Sequence, residues 1–337
     1  MADEMILLAH GAGGLKSAEL LKEIFLPEFG NATLAQLGDA AVLDAGGGKI
    51  AFTTDSFVID PIEFPGGNIG KLAICGTVND LAAAGATPIA ISAAFILEEG
   101  LSYDVLRRIV AAMARTAEAA GVPIVTGDTK VVPRGSADKI FINTTGIGTL
   151  PTGRSLPAPD RAASGDAIIL SGTLADHGMA IMTSREGLKF PSAIESDCAP
   201  LANMVAAVMG VVPDIHCMRD PTRGGLAAVL NELAGQSSVG MEVKDDDIPI
   251  HADVSVACEL LGIDPLHVAN EGKMVFIVPA ESADAAIAAL HAHPLGKEAA
   301  VIGHVTAGPT GRVHVRTALG SLRILDIPAG DILPRIC

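Results

Sequence analysis

Aspartates recur beside apolar segments in the first half of the chain, always among small residues. They are Asp39 in LGDAAVL, Asp55 in FTTDSFV, Asp80 in TVNDLAAAGATP and Asp128 in VTGDTKVV. An unpaired carboxylate is costly to bury there, so each needs a partner. One such aspartate alone is best explained as a helix cap or a turn residue. The four together favour a site at which carboxylate and phosphate oxygens jointly hold a hard cation.

Two segments of the second half carry further polar residues. MRDPTRGGLAAVLNELA places Asp220, Thr222 and Arg223 at a predicted helix start, which indicates either capping or a second anion and metal contact. VANEGKMVFIV places Glu271 just before a very apolar strand. There it would be partly desolvated and suited to act as a general base, or it would be a turn glutamate with satisfied hydrogen bonds.

A lysine and a glycine-rich loop could bind phosphate. Lys130, two residues after Asp128, could neutralise a phosphate or a developing negative charge, although alone it would be read as a surface lysine. The loop HGAGG, from His10 to Gly14, could wrap backbone N–H groups around phosphate. P-loop and dinucleotide-binding signatures are incomplete in PGGNIGKL, GAGGLK and GIGTLP. The sequence therefore supports neither a P-loop nucleoside triphosphatase nor a Rossmann dehydrogenase.

The chain ends in AGDILPRIC, so its last residue is Cys337. The nine residues from Ala329 onward, if extended, reach about 30 Å, enough to visit an internal cleft and an external partner. Arg335 could lower the pKa of the thiol, whereas the adjacent α-carboxylate would raise it. The alternative is a frayed terminus that happens to end in cysteine. Apolar residues could anchor the tail in either place: Ile332, Leu333 and Ile336.

Composition argues against several classes of partner. The 337 residues carry a formal net charge of −16, which argues against nucleic acid and anionic lipid surfaces. The apolar run near the start is too short for a signal peptide. The remaining cysteines show no ligand spacing and are predicted to be small core residues in a reduced, cytoplasmic protein: Cys75, Cys198, Cys217 and Cys258.

Apolar strand-like runs alternate with helix-like stretches in both halves. In the first half, strands are predicted for KIAFTTDSFVI, GVPIVTGDTKVV and KIFINTTGIGTL, and helices for GKLAICGTVNDLAAAGA and SYDVLRRIVAAMARTAEAAG. In the second half, strands are predicted for AIILSG, KMVFIVP and AAVIGHVT, helices for APLANMVAAVMG, GLAAVLNELAG and SADAAIAALHAHP, and a hairpin for GRVHVRTALGSLRILDIP. This alternation predicts a mixed α/β fold with two related halves.

The segment LPTGRSLPAPDRAASGD is rich in proline, glycine and serine and marks the predicted domain boundary. We therefore expect an N-terminal domain over residues 1–155 and a C-terminal α/β domain over residues 156–310. Residues 311–337 are expected to form a hairpin followed by a mobile C-terminal tail.

Taken together, these motifs resemble the aminoimidazole-ribonucleotide synthetase-like (PurM-like) superfamily of ATP-dependent enzymes, which includes selenophosphate synthetase and thiamine-monophosphate kinase. The resemblance spans nearly the whole chain and rests on GDAAVL, TTDSFVIDP, VNDLAAAGATP, TGDTKVV and DPTRGGL. Some members carry paired acids at the first motif, whereas Ala40 follows Asp39 here. Within the superfamily, HGAGG, VANEGK and the terminal PRIC resemble the HypE family, the carbamoyl dehydratases of NiFe-hydrogenase maturation.

The resemblance implies a homodimer in which the N-terminal domain, which binds ATP, contributes to a dimer-spanning β-barrel. It implies Mg²⁺ near the carboxylates of Asp39, Asp55, Asp80, Asp128 and Asp220. Those of Asp39, Asp55, Asp80 and Asp128 are also expected near ATP or its phosphates, as are the following residues: His10, Gly11, Gly13, Gly14, Asn79, Gly127, Thr129 and Lys130.

The resemblance also implies a reaction. The carbamoyltransferase HypF loads a carbamoyl group onto the Cys337 thiol, and the resulting thiocarboxamide is dehydrated to a thiocyanate while ATP is cleaved to ADP and phosphate. Lys130 and Glu271 are expected beside the reacting group, Glu271 as the base. The cyano group then passes to the HypC–HypD scaffold and becomes an iron ligand. Two alternatives stay open: a related ATP-dependent enzyme of the selenophosphate synthetase or thiamine-phosphate kinase type that acts on a free small molecule, and a non-enzymatic thiol or metal carrier.

Overall fold

The computed structural model describes residues 5–11, 13–188, 190, 193–327, 333 and 335–337, and it has the predicted mixed α/β fold. Each half of the chain contributes one main β-sheet with helices packed against it. The strands are β1 (Ala41–Asp44), β2 (Lys49–Phe57), β3 (Glu63–Phe64), β4 (Gly67–Asn68), β5 (Thr87–Glu98), β6 (Ile124–Val132), β7 (Ile140–Thr149), β8 (Ala167–Leu170), β9 (Cys217–Arg219), β10 (Gly240–Lys244), β11 (Val275–Val278), β12 (Ala300–Thr306), β13 (Arg312–Arg316) and β14 (Leu322–Ile324).

The helices alternate with these strands. They are α1 (Leu15–Leu20), α2 (Leu26–Phe29), α3 (Ile69–Ala83), α4 (Tyr103–Ala120), α5 (Asp176–Arg185), α6 (Ala202–Val211), α7 (Gly225–Gln236), α8 (Ala252–Leu261) and α9 (Ala283–Ala292). A π-helical turn joins α1 to α2 over Leu21–Phe25. Short 3₁₀ segments occupy Leu8–Gly11, Leu34–Gln36, Asp245–Asp247, Pro265–His267, Ala280–Ser282 and Pro294–Gly296.

The first sheet has the order β1-β2-β7-β5-β6 in the described residues. Neighbouring strands are antiparallel except β5 and β6, which run parallel across the α4 crossover. Because β6 lies at the edge of this sheet, its residues are exposed along almost their whole length. The second sheet has the order β14-β13-β10-β12-β8-β11-β9, with β8 and β11 fully buried near its centre.

Helix α3 lies between the two halves. It begins at Asn68, whose side chain accepts hydrogen bonds from the N–H groups of Gly70 and Lys71. Nearly all of α3 is buried because α4, α6 and the first sheet pack around it. Its C-terminal alanines join a cluster with α6 and α9, while its central residues belong to a core that also includes β8 and α7. α3 thereby fixes the position of Asp80 relative to both halves.

The predicted strands and helices are confirmed, including the terminal hairpin of β13 and β14, whose turn contains Gly320 at φ +80°. α4 is capped at its C-terminal end by Gly121, which is in the left-handed region. β13 also pairs in parallel with β10, so the hairpin belongs to the second sheet. The domain limits themselves stay predictions. Within the described residues, no helix combines the length and hydrophobicity that a membrane crossing requires.

Candidate functional site

A cavity of about 290 Å³ lies between the first sheet, α3 and the start of α7. Two arginines, Arg219 and Arg223, contribute positive charge to it. The Cys337 residue also lines it. Carboxyl groups dominate the rest of its charged lining: Asp39, Asp55, Asp80, Asp220, Glu232 and Glu271.

Four of the five predicted metal-binding aspartates meet in this cavity from different elements. Asp39 precedes β1, Asp55 lies in β2, Asp80 in α3, and Asp220 follows β9. The Thr53 hydroxyl lies 2.8 Å from Asp80 Oδ2 and 3.0 Å from the backbone oxygen of Asp39. Thr53 of β2 therefore joins the segment before β1 to α3 at the point where the carboxylates converge.

The carboxylates repel one another. Burial, followed by the charges of Asp220, Asp39 and Asp55, raises the pKa of Asp80 well above its usual value. Burial and then Asp39 raise the pKa of Asp220 to about 8. Arg219 offsets part of this charge, because its Nε lies 2.9 Å from Asp39 Oδ1.

A divalent cation fits this donor set by charge, since it would relieve the repulsion among hard oxygen ligands. The side chains are not already positioned as a coordination site. Over the described ranges, no group of three or more His, Cys, Asp or Glu side chains is arranged so that it could hold a metal ion.

The glycine-rich loop is only partly directed at the cavity. Gly13 lines it at φ +76°, and a Cβ there would lie 2.6 Å from the Cβ of Arg223. The Gly11 carbonyl accepts a hydrogen bond from Arg223 Nη1 at 2.8 Å. Gly14 precedes α1, and His10 accepts from the N–H of Leu7 at 2.8 Å instead of lining the cavity.

The last three residues of the chain lie against the segment that follows β2. The N–H of Val58 donates to the Cys337 oxygen at 3.0 Å, and the N–H of Asp60 donates to the Arg335 oxygen at 3.3 Å. The Arg335 guanidinium donates to the Val58 oxygen at 2.9 Å and pairs with Asp138. These contacts fix the chain terminus beside the segment that follows β2.

Apolar and polar groups of the second half hold the other side of the tail. Leu333 and Ile336 are buried, as predicted, whereas Ile332 lies outside the described residues. His177 Nε2 donates to the Ile336 oxygen at 2.8 Å, while Nδ1 lies 2.7 Å from Ser196 Oγ. Burial lowers the pKa of His177, which favours the neutral ring that this pattern needs.

The cation beside the terminal thiol is Arg223. Burial raises the pKa of Cys337 well above its usual value, and Arg223 opposes that shift. The sequence left open whether Arg335 lowers the pKa of the thiol. In the structure, the Arg335 guanidinium contacts Asp138 and Val58, and Arg223 is the cation that opposes the rise in the Cys337 pKa.

Glu271 is buried and lines the same cavity as Cys337. Burial, and then the neighbouring Cys198, raise the pKa of Glu271 well above its usual value. Its Oε1 atom has no hydrogen-bond partner among the described residues. A turn glutamate with satisfied hydrogen bonds does not match this environment, whereas a general base does.

The β6 residues predicted to bind phosphate lie elsewhere in the single chain. Asp128 and Lys130 form an exposed ion pair, with Lys130 Nζ 2.6 Å from Asp128 Oδ2. Together with Gly127 and Thr129 they occupy the exposed edge strand, and none of the four lines the carboxylate cavity. The structure therefore does not bring them to Glu271 and Cys337 within one chain.

Asn79 was expected at the phosphates, but its side chain is buried and used elsewhere. Its Oδ1 accepts from the N–H of Leu201 at 2.8 Å, and its Nδ2 donates to the oxygens of Ala199 and Glu271 at 3.1 and 3.3 Å. Because the amide is engaged in the core, we remove Asn79 from the predicted phosphate contacts.

Sequence reasoning missed three site residues: Arg219, Glu232 and His177. Arg219 lies next to Asp220 in MRDPTRGG, which was a usable signal. Arg219 pairs with Glu232 at 3.1 Å. His177 lies in none of the motifs recognised in the sequence, yet it contacts Ile336, 159 residues away. No local pattern reveals such a contact.

Known proteins match the whole chain. The N-terminal domain of the AIR synthase related proteins matches residues 37–150, and the C-terminal domain matches residues 163–316. The carbamoyl dehydratase HypE of Rhodobacter capsulatus is 50% identical over 340 residues, covering 100% of this chain and 99% of the relative.

Solved structures agree. A crystal structure of a HypE–HypF complex matches with a TM-score of 0.88 at 46% identity, covering 92% of this chain and 99% of the matched chain. A HypE structure in complex with ATP matches with a TM-score of 0.84 at 49% identity, covering 99% and 100%. With this similarity along its full length, the chain belongs to the HypE family of the AIR synthase related proteins.

Proposed function

We propose that the protein is an ATP-dependent carbamoyl dehydratase that acts on its own C-terminal cysteine. The substrate is a thiocarboxamide on Cys337, and the product is a thiocyanate that supplies cyanide ligands for the iron centre of a NiFe-hydrogenase. The observation that carries the proposal is the position of Cys337 in one cavity with Glu271 and the aspartates.

The residues suit this chemistry. An amide oxygen is a poor leaving group, so transfer of the terminal phosphoryl group of ATP to that oxygen lets it depart as phosphate. The two N–H protons must leave as the C≡N bond forms, and the buried Glu271 carboxylate is the group placed to accept one of them. The atoms balance, because the oxygen lost from the thiocarboxamide ends in the released phosphate.

ATP and Mg²⁺ are the proposed cofactors. A HypE relative with 49% identity has been solved with ATP, which supports nucleotide binding here. Mg²⁺ would be held by Asp39, Asp55, Asp80 and Asp220 and would neutralise charge on the phosphates. The excess of carboxylates over arginines in the cavity supports this assignment.

A second copy of the chain would complete the site. The β6 edge is exposed, including Val125 and Val131, and such an edge commonly pairs with another strand. We propose that a homodimer forms a shared barrel at this edge, and that Asp128 and Lys130 of one chain serve the cavity of the other. This arrangement would bring the predicted phosphate contacts together.

The proposed partners follow from the tail. A HypE–HypF complex has been solved for a relative, so HypF is the proposed source of the carbamoyl group. HypC–HypD is the proposed acceptor of the cyano group. All five cysteines are free in the structure, which is compatible with the predicted cytoplasmic location.

The experiment compares Cys337→Ser with Cys258→Ser, a buried cysteine on α8 outside the cavity. After incubation with HypF, carbamoyl phosphate and ATP labelled in its terminal phosphoryl group, release of labelled phosphate is measured, because carbamoyl transfer releases the unlabelled phosphate of carbamoyl phosphate. We expect release from wild type and Cys258→Ser, and none above background from Cys337→Ser. Full release from Cys337→Ser would indicate a free small-molecule substrate instead.

A further inference from the structure

The peptide of Glu271 is held by three groups from two other segments. The Asp197 carboxylate accepts from the N–H of Glu271 at 3.0 Å and from the N–H of Gly272 at 3.3 Å. On the opposite side, the Asn79 amide donates to the Glu271 oxygen at 3.3 Å, and the N–H of Ala199 donates to the same oxygen at 3.4 Å. Both backbone polar groups of Glu271 are therefore fixed.

The groups that hold Glu271 are themselves fixed. The Asp197 side chain is 2% exposed and pairs with Lys273 Nζ at 3.2 Å. Asn79 is 1% exposed and bonded to the N–H of Leu201. The segments meet so closely that a Cβ on Gly272 would lie 1.9 Å from the backbone oxygen of Asp197. This contact leaves no room for a side chain at that position.

The carboxyl end of Glu271 lacks comparable support, because its Oε1 has no hydrogen-bond partner in the described part of the chain. The direction in which the Glu271 side chain enters the cavity is consequently set by the hydrogen bonds of its backbone. A general base must lie within hydrogen-bond reach of the proton that it removes. A displacement of about 1 Å can cost about a hundredfold in rate.

We propose that Asp197 and Asn79 are positioning residues for the dehydration, holding the Glu271 peptide so that its carboxyl reaches the carbamoylated Cys337. The inference rests on the proposed function. Neither residue lines the cavity, so neither contacts the reacting atoms. Asn79 thereby gains a role different from the phosphate contact expected from its motif.

The test compares Asp197→Asn with Asp176→Asn. Both carboxylates are buried beside Lys273, at 3.2 and 3.8 Å from its Nζ, but Asp176 accepts from Thr173 and His251 instead of from the Glu271 peptide. Each full-length variant is carbamoylated by HypF and then mixed with ATP. Intact mass spectrometry follows both the carbamoyl adduct and its loss of one water.

For Asp197→Asn we expect normal carbamoylation, an unchanged KM for ATP and a dehydration rate lower by about tenfold to a hundredfold. For Asp176→Asn we expect a rate close to that of wild type. An unchanged rate in Asp197→Asn, or an equal loss in both variants, would overturn the positioning role. Failure of the wild-type adduct to lose water would instead overturn the proposed function, and it would be seen before any variant is made.

Amide hydrogen exchange in the wild-type protein supplies a measurement that does not depend on the folding of a variant. We expect slow exchange at the N–H groups of Glu271 and Gly272, because both donate to the buried Asp197 carboxylate. Exchange as fast as in an unstructured peptide would contradict the inference.

Discussion

The carboxylate cavity and the β6 edge carry residues of the same chemical types in opposite environments. In the cavity, Asp39 and Arg219 form an ion pair whose side chains are 12% and 19% exposed. On β6, the Asp128 and Lys130 side chains of a comparable pair are 62% and 69% exposed. The cavity pair is therefore held by the fold, whereas the β6 pair is free to exchange partners.

This difference separates two kinds of site residue. The cavity with its docked tail is assembled by a single chain, because α3 and β2 bring the aspartates to the thiol. The β6 residues lie outside this cavity, and we propose that they contact the cavity of another copy of the chain.

The largest effect is expected for Glu271→Gln. This change keeps the shape of the side chain but removes the proposed base, so dehydration should slow by about 10²- to 10⁴-fold while carbamoylation of Cys337 continues. Mass spectrometry should show the carbamoyl adduct accumulating. Complete water loss at the wild-type rate would remove Glu271 from the base role.

The cavity ion pair should matter strongly for stability. Arg219→Met leaves the Asp39 carboxylate without its counterion and should lower the free energy of unfolding by about 3 kcal/mol. Lys130→Met, the matched change on β6, should leave it close to the wild-type value because that pair is exposed. Urea denaturation of both variants checks the contrast, and equal losses would refute it.

Mixing variants should reveal whether the two regions act across a dimer. Lys130→Met and Glu271→Gln should each be nearly inactive. After subunit exchange in equal amounts, activity should return to about a quarter of the wild-type rate, because half of the dimers contain one intact composite site. No recovery in samples shown to contain mixed dimers would place Lys130 in the service of its own chain or of no site.

The pH dependence of the dehydration rate should follow the ionisation of the Glu271 carboxyl group. Since burial raises the pKa of Glu271, the base form becomes populated only as the pH rises through that elevated value. The dehydration rate of preloaded protein should therefore rise with pH well above the usual range of a glutamate. Because the neutral form is favoured in the fold, the free energy of unfolding should fall as the pH rises from the usual pKa of a glutamate to the raised value, and Glu271→Gln should lose that dependence. A flat rate profile would contradict this assignment.

Much of this architecture follows from local patterns. Strands and helices are visible as apolar periodicity. Carboxylates beside apolar runs identified Asp39, Asp55, Asp80 and Asp128, and the helix start in MRDPTRGG identified Asp220. All of these except Asp128 meet in one cavity. Their convergence reflects elements whose ends face a common crevice.

The remaining features depend on contacts that no local pattern encodes. Asn79 lies beside Asp80 in its motif, yet it points into the core toward residues more than a hundred positions away. His177 contacts the Ile336 oxygen, and Arg335 contacts the Val58 oxygen just after β2. In both cases the partners are far apart in sequence. Apolar periodicity predicts which residues are buried, but not which exposed residues line a cavity. It therefore did not reveal that the β6 residues lie outside the carboxylate cavity.

The central claim is that the docked Cys337 carries the substrate. The most direct measurement is intact mass spectrometry of the full-length protein after incubation with HypF, carbamoyl phosphate and ATP. We predict a carbamoyl adduct on Cys337 that loses one water only when ATP is present. An unmodified Cys337, with HypF shown to be active in the same sample, would contradict the claim.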